Sequence, residues 1–424
     1  MDFMPSSKEY MDMDKEYCAH NYDPISVVIS KAEGVWVYDP EGNKYLDCLS
    51  AYSSINLGHC HPEIIKTLKE QADKVTLTSR AFYNDVMGPF LKELCELAGP
   101  HLNNPKNSSI MALPMNTGTE AVETGLKVAR AWGYIKKKIP KDEAKIIACR
   151  DNFHGRSISI VSFSTDIQHG RYFGNYGPPT PGFTIISYGD SQELENTILE
   201  TGPEKVAAFL FEPIQGEAGV KIPPEGYLKK IRDICTKYNV LMIADEIQTG
   251  FCRTGELFAC DHEKVKPDML LLGKALGGGV YPVSAVVSTK DIIGPDVIKP
   301  GTHGSTFGGN PLASAIAAKS IDIHINDRLD KRAKELGSYF MEGLKKIASK
   351  KTIVPIKEVR GKGLLMAVEF KSDARPIVEK LKDKGILAKD THSTTIRFAP
   401  PLIITKDQID WALKIIEEVF VMKL

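Results

Sequence analysis

The sequence predicts an α/β protein with a large unit on a mostly parallel sheet and a smaller, discontinuous α+β unit. Three observations point there. Between about residues 110 and 300, short apolar runs alternate with amphipathic helical segments, the pattern of a parallel sheet covered by helices. The last hundred residues read instead as long helix, short strands and helix. A hairpin pattern lies near the N-terminus, and it is expected to join the C-terminal unit, although periodicity alone does not carry that pairing. A chain of 424 residues suggests two or three domains, with boundaries expected at 1–60, 61–310 and 311–424.

The hairpin covers residues 35–49: Val35-Trp36-Val37-Tyr38, a turn at Asp39-Pro40-Glu41-Gly42-Asn43, then Tyr45 to Leu49. Pro62 opens a helix with Ile64, Ile65, Leu68, Ala72 and Val75 on one face. A second helix opens at Asn116-Thr117-Gly118-Thr119-Glu120 and runs through Trp132, with Thr117 and Glu120 spaced as a capping box. Candidate buried strands are Ile146–Ala148, Ile158–Phe163, Ala207–Phe211, Leu241–Ala244 and Met269–Leu272, and Tyr227, Leu228, Ile231, Ile234 and Tyr238 sit at helical spacing between them. A long helix follows from about Pro311 to Ala348, with a break near Asn326-Asp327. Strands are expected at Gly363–Phe370, Gly385–Ala388 and Thr395–Phe398. The last helix starts at Thr405, capped with Gln408, and its apolar face is Ile409, Leu413, Ile416 and Phe420.

Composition removes several function classes. Lys+Arg equals Asp+Glu at 54 each, so no net field holds nucleic acid or an anionic membrane. Lys136-Lys137-Lys138, beside Pro140, reads as a solvated helix end. The eight cysteines form no CxxC pair and read as reduced intracellular thiols. His59-Cys60-His61 reads as a tight turn before the helix at Pro62, since adjacent ligands diverge and no second cluster matches them; no metal is expected. The longest apolar runs, such as Val206–Phe211, are strand-sized, so no membrane partner is expected. Residues 1–20 carry five acids against Lys8 and Lys15, the wrong sign for an organelle transit peptide, and the expected location is cytoplasmic.

In open α/β sheets, ligands collect beyond the carboxyl ends of the strands. Asp245-Glu246-Ile247-Gln248 follows one apolar run, Gly273-Lys274 another and Glu212-Pro213-Ile214-Gln215-Gly216-Glu217 a third. The helix start at Gly118 offers free N–H groups to a phosphate. An acid, a lysine and an anion-binding helix start are the parts needed to hold pyridoxal phosphate (PLP): the lysine forms a Schiff base, the acid keeps the pyridine nitrogen protonated, and the helix end takes the phosphate. Taken singly, each has a plain structural reading as a solvated loop lysine, a helix cap or a turn. The Gly277-Gly278-Gly279 stretch matches neither a P-loop nor a dinucleotide motif.

The string from Leu241 through Asp245, Gln248 and Phe251, then Arg253-Thr254-Gly255, then Leu271 through Lys274 to Gly279, resembles the signature of class III (ω-)aminotransferases. Asn152-Phe153-His154-Gly155-Arg156, Glu212 to Glu217 and Gly304-Ser305-Thr306-Phe307-Gly308-Gly309-Asn310-Pro311 are similar to further blocks of that family. The resemblance extends from about Tyr22 to the C-terminus. It implies the PLP-dependent transferase fold-type I and a homodimer with active sites at the subunit interface. It also implies roles: Lys274 for the Schiff base and proton shuttle, Asp245 for the pyridine nitrogen, and Gln248 near the ring hydroxyl. Phe153 would stack on the ring, Gly118 and Thr119 would bind phosphate, and Thr306 would reach in from the partner subunit.

Tyr22 and Tyr52 fall where family members acting on L-ornithine place substrate-contacting tyrosines. Members acting on acetylornithine or 4-aminobutyrate usually have a smaller or apolar residue at the second position. Glutamate and 2-oxoglutarate carry two carboxylates, which Arg156 and Arg397 would take by bidentate pairing. Ornithine carries one carboxylate, so Arg397 would need Glu217 as a partner while Arg156 binds the substrate and Tyr22 contacts its α-amino group. The expected reaction is L-ornithine plus 2-oxoglutarate giving glutamate 5-semialdehyde plus glutamate. The alternatives are another ω-amino acid, especially N-acetylornithine, or a PLP-fold sensor or scaffold without turnover.

Overall fold

Seven strands form the central sheet of the computed structural model, which describes residues 5–166, 170–171 and 175–421. Their order is Ile110–Met115, Ser284–Thr289, Met269–Leu272, Leu241–Asp245, Val206–Phe211, Lys145–Cys149 and Phe183–Ile186. Five neighbouring strands run parallel, and Ser284–Thr289 runs antiparallel to both its neighbours. Val206–Phe211, Leu241–Asp245 and Met269–Leu272 are buried at every residue, which is why they read as unbroken apolar runs. Alternate residues feed opposite faces: Phe209 and Phe211 pack with helices Met87–Ala98 and Tyr227–Lys237, while Ala208 and Leu210 pack with helix Gly118–Trp132.

Three sheet strands lie outside the runs that the sequence singles out. Ile110–Met115 is an edge strand holding Pro114, the position where a sheet tolerates proline, and Ser284–Thr289 has hydroxyl residues at its ends, Ser284, Ser288 and Thr289. Phe183–Ile186, at the opposite edge, has only four residues. Conversely, Ile158–Phe163 is not a strand. Ile158–Val161 makes one helical turn, with Ser162 Oγ donating to the Ile158 carbonyl at 2.8 Å and Phe163 N–H to the Ile160 carbonyl at 3.1 Å. A short apolar run reads equally as a strand or a buried helical turn, and local serine bonds decide this one. The helix at Pro62 ends at Ala72, which is exposed, so Ala72 and Val75 do not belong to its buried face. Nor is Lys137 solvated: its Nζ reaches back to the carbonyls of Val206, Tyr238 and Asn239 at 2.7, 3.1 and 2.7 Å, and burial lowers its pKa to about 8.

The N-terminal hairpin pairs Trp36–Tyr38 with Lys44–Asp47, and Ile386–Leu387 adds to it in parallel beside Lys44–Asp47. Val35, Leu46 and Leu57 share a core cluster with helices Leu329–Ala348, Arg375–Asp383 and Lys406–Phe420. A separate antiparallel sheet runs Ile356–Lys362, Leu365–Phe370, Thr395–Phe398, Lys389–Thr391. The expected break in the long helix falls between Pro311–Asn326 and Leu329–Ala348, where Arg328 takes a φ of 50°. Both predicted capping boxes form, at Thr117 with Glu120 and at Thr405 with Gln408. Among the described residues no helix is long and apolar enough to cross a membrane, and no group of His, Cys, Asp or Glu is arranged to hold a metal ion.

Candidate active site

The parallel strands bring their carboxyl ends to one edge of the sheet, and a cavity of about 180 Å³ opens there. Asp245 is the last residue of its strand, Lys274 lies two residues beyond Met269–Leu272, and Glu212 follows Val206–Phe211 directly. Helix Gly118–Trp132 points its N-terminus into the same space. Seven of the residues singled out by sequence line this one cavity: Gly118, Thr119, Phe153, Glu217, Asp245, Gln248 and Lys274. Lys274 takes a φ of 45°, an uncommon conformation for a side-chain-bearing residue, of the kind that clusters at functional sites.

Behind the cavity lies a buried acid–base network. His154 Nδ1 is 2.6 Å from Asp245 Oδ2. Burial alone would lower the His154 pKa, but the Asp245 carboxylate outweighs it and the pKa is raised. Glu212 is 6% exposed and accepts the Phe153 N–H at 2.9 Å. Burial pushes its pKa up to about 7, against the pull of His154. Burial also lowers the Lys274 pKa, with Glu217 opposing. Sequence reasoning did not assign roles to His154 and Glu212, although both lie in quoted blocks just past strand ends.

The second half of the site centres on Arg397, from the fully buried strand Thr395–Phe398. Its Nη1 meets Glu217 Oε1 at 2.7 Å, and at 2% exposure this is no surface ion pair. Burial would raise the Glu217 pKa, but Arg397 and then Lys274 bring it down to about 2. Gln248 donates to Glu217 Oε1 at 3.2 Å and to the Tyr52 carbonyl at 3.4 Å. The Tyr52 ring lies 5.1 Å from the Arg397 guanidinium. A Cβ at Gly216 would overlap Gln248 Oε1 at 1.4 Å, so glycine is needed for this approach.

Five predicted residues lie outside the cavity wall: Tyr52 and Arg397, which reach it through Gln248 and Glu217, and Tyr22, Arg156 and Thr306. Tyr22 is 73% exposed and shares with Tyr52 an adjoining hollow of about 330 Å³. Arg156 is exposed, with its guanidinium 5.4 Å from the Phe153 ring centre. Thr306 is exposed, and its neighbour Ser305 accepts from Asn116 Nδ2 at 3.0 Å.

The donor set fits PLP. The helix cap takes the Glu120 N–H, while the N–H groups of Gly118 and Thr119 precede the first intrahelical bond and remain available to a phosphate. A Cβ at Gly118 would crowd Ile247 at 3.2 Å and one at Gly155 would meet Thr119 Oγ1 at 2.3 Å, so both glycines keep the cradle open. Gln248 Oε1 and His154 Nε2 are buried polar atoms without a protein partner. Lys274 supplies the amine and Asp245 the acid.

Residues 17–420 match the family model described as aminotransferase class III. An ornithine aminotransferase of Geobacillus sp. (strain WCH70) is 52% identical over 417 residues, 98% of this chain and 99% of that protein. The crystal structure of the ornithine aminotransferase from Toxoplasma gondii ME49 superposes with a TM-score of 0.92 at 46% identity, covering 98% of this chain and 95% of that one. An acetylornithine aminotransferase from Elizabethkingia anophelis gives a TM-score of 0.86 at 45% identity, covering 98% and 99%.

Proposed function

The chain belongs to the class III aminotransferases, which are PLP-dependent, and from that premise we propose that it is an ornithine aminotransferase, moving the δ-amino group of L-ornithine to 2-oxoglutarate. The products are glutamate 5-semialdehyde and glutamate. The observation that carries this reading is the buried Arg397–Glu217 pair with Tyr52 against it, opening on the cavity that holds Lys274 and Asp245.

When bound, PLP supplies an electrophilic aldehyde and an electron sink. Asp245, oriented by His154, would hold the proton on the pyridine nitrogen. Gly118 and Thr119 would hold the phosphate, Phe153 would stack on the ring, and Gln248 would bind near the ring hydroxyl. Lys274 would anchor the cofactor and move the proton at the substrate carbon; its lowered pKa keeps more of the free amine in the neutral, basic form. In the ornithine half-reaction, Glu217 neutralises Arg397, Arg156 takes the lone carboxylate and Tyr22 contacts the α-amino group. In the 2-oxoglutarate half-reaction, Glu217 withdraws and the second carboxylate pairs with Arg397.

The working unit in this reading is a homodimer, with Thr306 serving the partner's phosphate. Phe82, Tyr83 and Phe307 are 72%, 98% and 47% exposed, an apolar excess suited to a subunit interface. All eight cysteines are free thiols, which suits a cytoplasmic location.

The test is a half-reaction on the PLP-loaded protein, following cofactor absorbance after adding L-ornithine, N-acetylornithine or 4-aminobutyrate separately. Rapid change with ornithine alone is expected. Preference for N-acetylornithine, the reading favoured by the Elizabethkingia likeness, retains the chemistry and overturns the substrate.

A further inference from the structure

Tyr52 stands on an unusual piece of backbone. Ser50, Ala51, Tyr52 and Ser53 have φ values of 51°, 45°, 59° and 71°, and none is glycine. They form one turn of left-handed helix, closed by Ser54 N–H donating to the Ser50 carbonyl at 2.9 Å. L-residues visit this region singly and almost never in runs, because Cβ crowds the following carbonyl oxygen. Something outside the turn must over-determine it.

The restraint comes from Asp47 and its neighbours. Asp47 Oδ1 accepts the N–H groups of Leu49 and Ser50, both at 2.8 Å, and turns the chain into the first left-handed residue. Its other oxygen meets His59 Nε2 at 2.8 Å. His59 is itself tied to the hairpin, its N–H donating to the Gly34 carbonyl at 2.7 Å and its carbonyl accepting from Gly34 at 3.0 Å. Ser50 Oγ donates to the Ala399 carbonyl at 2.7 Å, two residues past Arg397. The turn therefore references Tyr52 to the strand that carries Arg397.

We propose that Asp47 and His59 are positioning residues for the amine substrate: they lock the left-handed turn Ser50–Ser53, and the turn sets the Tyr52 ring against Arg397. This rests on reading Tyr52 as a substrate contact. The turn touches both members of the Arg397–Glu217 pair, the first through the Tyr52 ring and the second through Gln248, which bridges the Tyr52 carbonyl and Glu217. Loosening the turn displaces the ring on the ornithine side while leaving Lys274, Asp245 and the phosphate cradle in place. Arg397 keeps its place through its own buried strand, Thr395–Phe398, so the cost falls on ornithine recognition rather than on the 2-oxoglutarate half-reaction.

The test is a double-mutant cycle with Asp47→Asn and Tyr52→Ala, reading KM and kcat for ornithine and for 2-oxoglutarate separately. Asp47→Asn should raise the ornithine KM roughly ten-fold, leave kcat and the 2-oxoglutarate half-reaction unchanged, and add nothing on the Tyr52→Ala background. Equal losses in both backgrounds, or in both half-reactions, mark a merely structural role and overturn the proposal. An unaltered ornithine KM in Tyr52→Ala alone shows instead that Tyr52 is no substrate contact, and removes the premise together with the proposal. Should Asp47→Asn fail to fold, His59→Gln serves with amide hydrogen exchange as the readout. Faster exchange confined to residues 49–55, with the same rise in ornithine KM, is expected; unchanged exchange there overturns the lock.

Discussion

Glu217→Ala should turn the site toward glutamate as amino donor. A carboxyl held at about 2 instead of 4.5 is favoured in its charged form by about 3 kcal/mol, at 1.36 kcal/mol per pKa unit. That is the ceiling on what a substrate carboxylate must displace to reach Arg397, equivalent to about 300-fold in an equilibrium constant. Glu217 is 27% exposed, so water recovers part of this on removal, and a gain of roughly 10- to 100-fold in kcat/KM for glutamate is the expected size. Ornithine should lose, because Arg397 at 2% exposure is left as an uncompensated buried charge. The assay is single-turnover absorbance of the bound cofactor with each amine, reported as the glutamate-to-ornithine ratio. A ratio unchanged within about two-fold would refute the switch. The pair's pH dependence follows from the same depressed pKa: its stabilisation is present above the unfolded carboxyl value and is lost only as pH falls toward about 2. Selectivity should therefore show no Glu217 titration near neutrality.

Lys274→Ala should abolish transamination and the covalently held cofactor absorbance together; turnover retained in that variant would overturn the assignment of the amine. Gly337→Ala sets helix propensity against packing. Alanine in a helix is worth about 1 kcal/mol over glycine, yet its Cβ would meet the Gly363 backbone at 2.2 Å, a clash expected to cost about 1–3 kcal/mol. A lowered unfolding midpoint is the expected net result, and a raised one would show that Gly363 moves aside freely. His154, with its pKa raised by Asp245 against burial, contributes stability that is complete below the unfolded imidazole value and fades as pH rises through the folded one. Urea unfolding of the apo-protein across about pH 6 to 9 should show that decline in the parent and lose it in His154→Asn; the same slope in both assigns it elsewhere, with Glu212, titrating at about 7 beside it, the first alternative.

The candidate site was readable where it follows strand ends. Asp245, Lys274 and Glu217 trail unbroken apolar runs, and those runs are unbroken because helices bury both faces of the sheet. The capping boxes at Thr117 and Thr405 were equally legible, since a cap is a local bond with a fixed spacing. What the sequence concealed is non-local. His154 becomes informative only when the fold brings it 2.6 Å from Asp245, ninety-one residues away in sequence. The left-handed turn at Ser50–Ser53 has no glycine to announce it, because its conformation is imposed by Asp47, His59 and the Ala399 carbonyl rather than by the residues that adopt it. Ile158–Phe163 misleads for a related reason: a half-dozen residues carry too few periods to separate a strand from a buried turn.

The charges of the site also indicate which acid can yield to an incoming carboxylate. Three acids line the cavity, Asp245, Glu212 and Glu217, and Lys274, His154 and Arg397 are the bases that face or adjoin them. Asp245 and Glu212 are 5% and 6% exposed, and each is pinned by a directed bond, one to the His154 ring and one from the Phe153 N–H. Moving either would strand a buried polar group at the cost of about 1–3 kcal/mol or more. Glu217 differs on both counts. It reaches solvent, and its partner Arg397 would be re-paired at once by the carboxylate that displaces it. Exchanging one carboxylate for another would keep the buried guanidinium neutralised, so the proposed second half-reaction would need no rearrangement of the Asp245–His154 pair. On the proposed reading, separating the acid that can yield from the fixed ones would let a single cavity accept a substrate with one carboxylate and then a substrate with two.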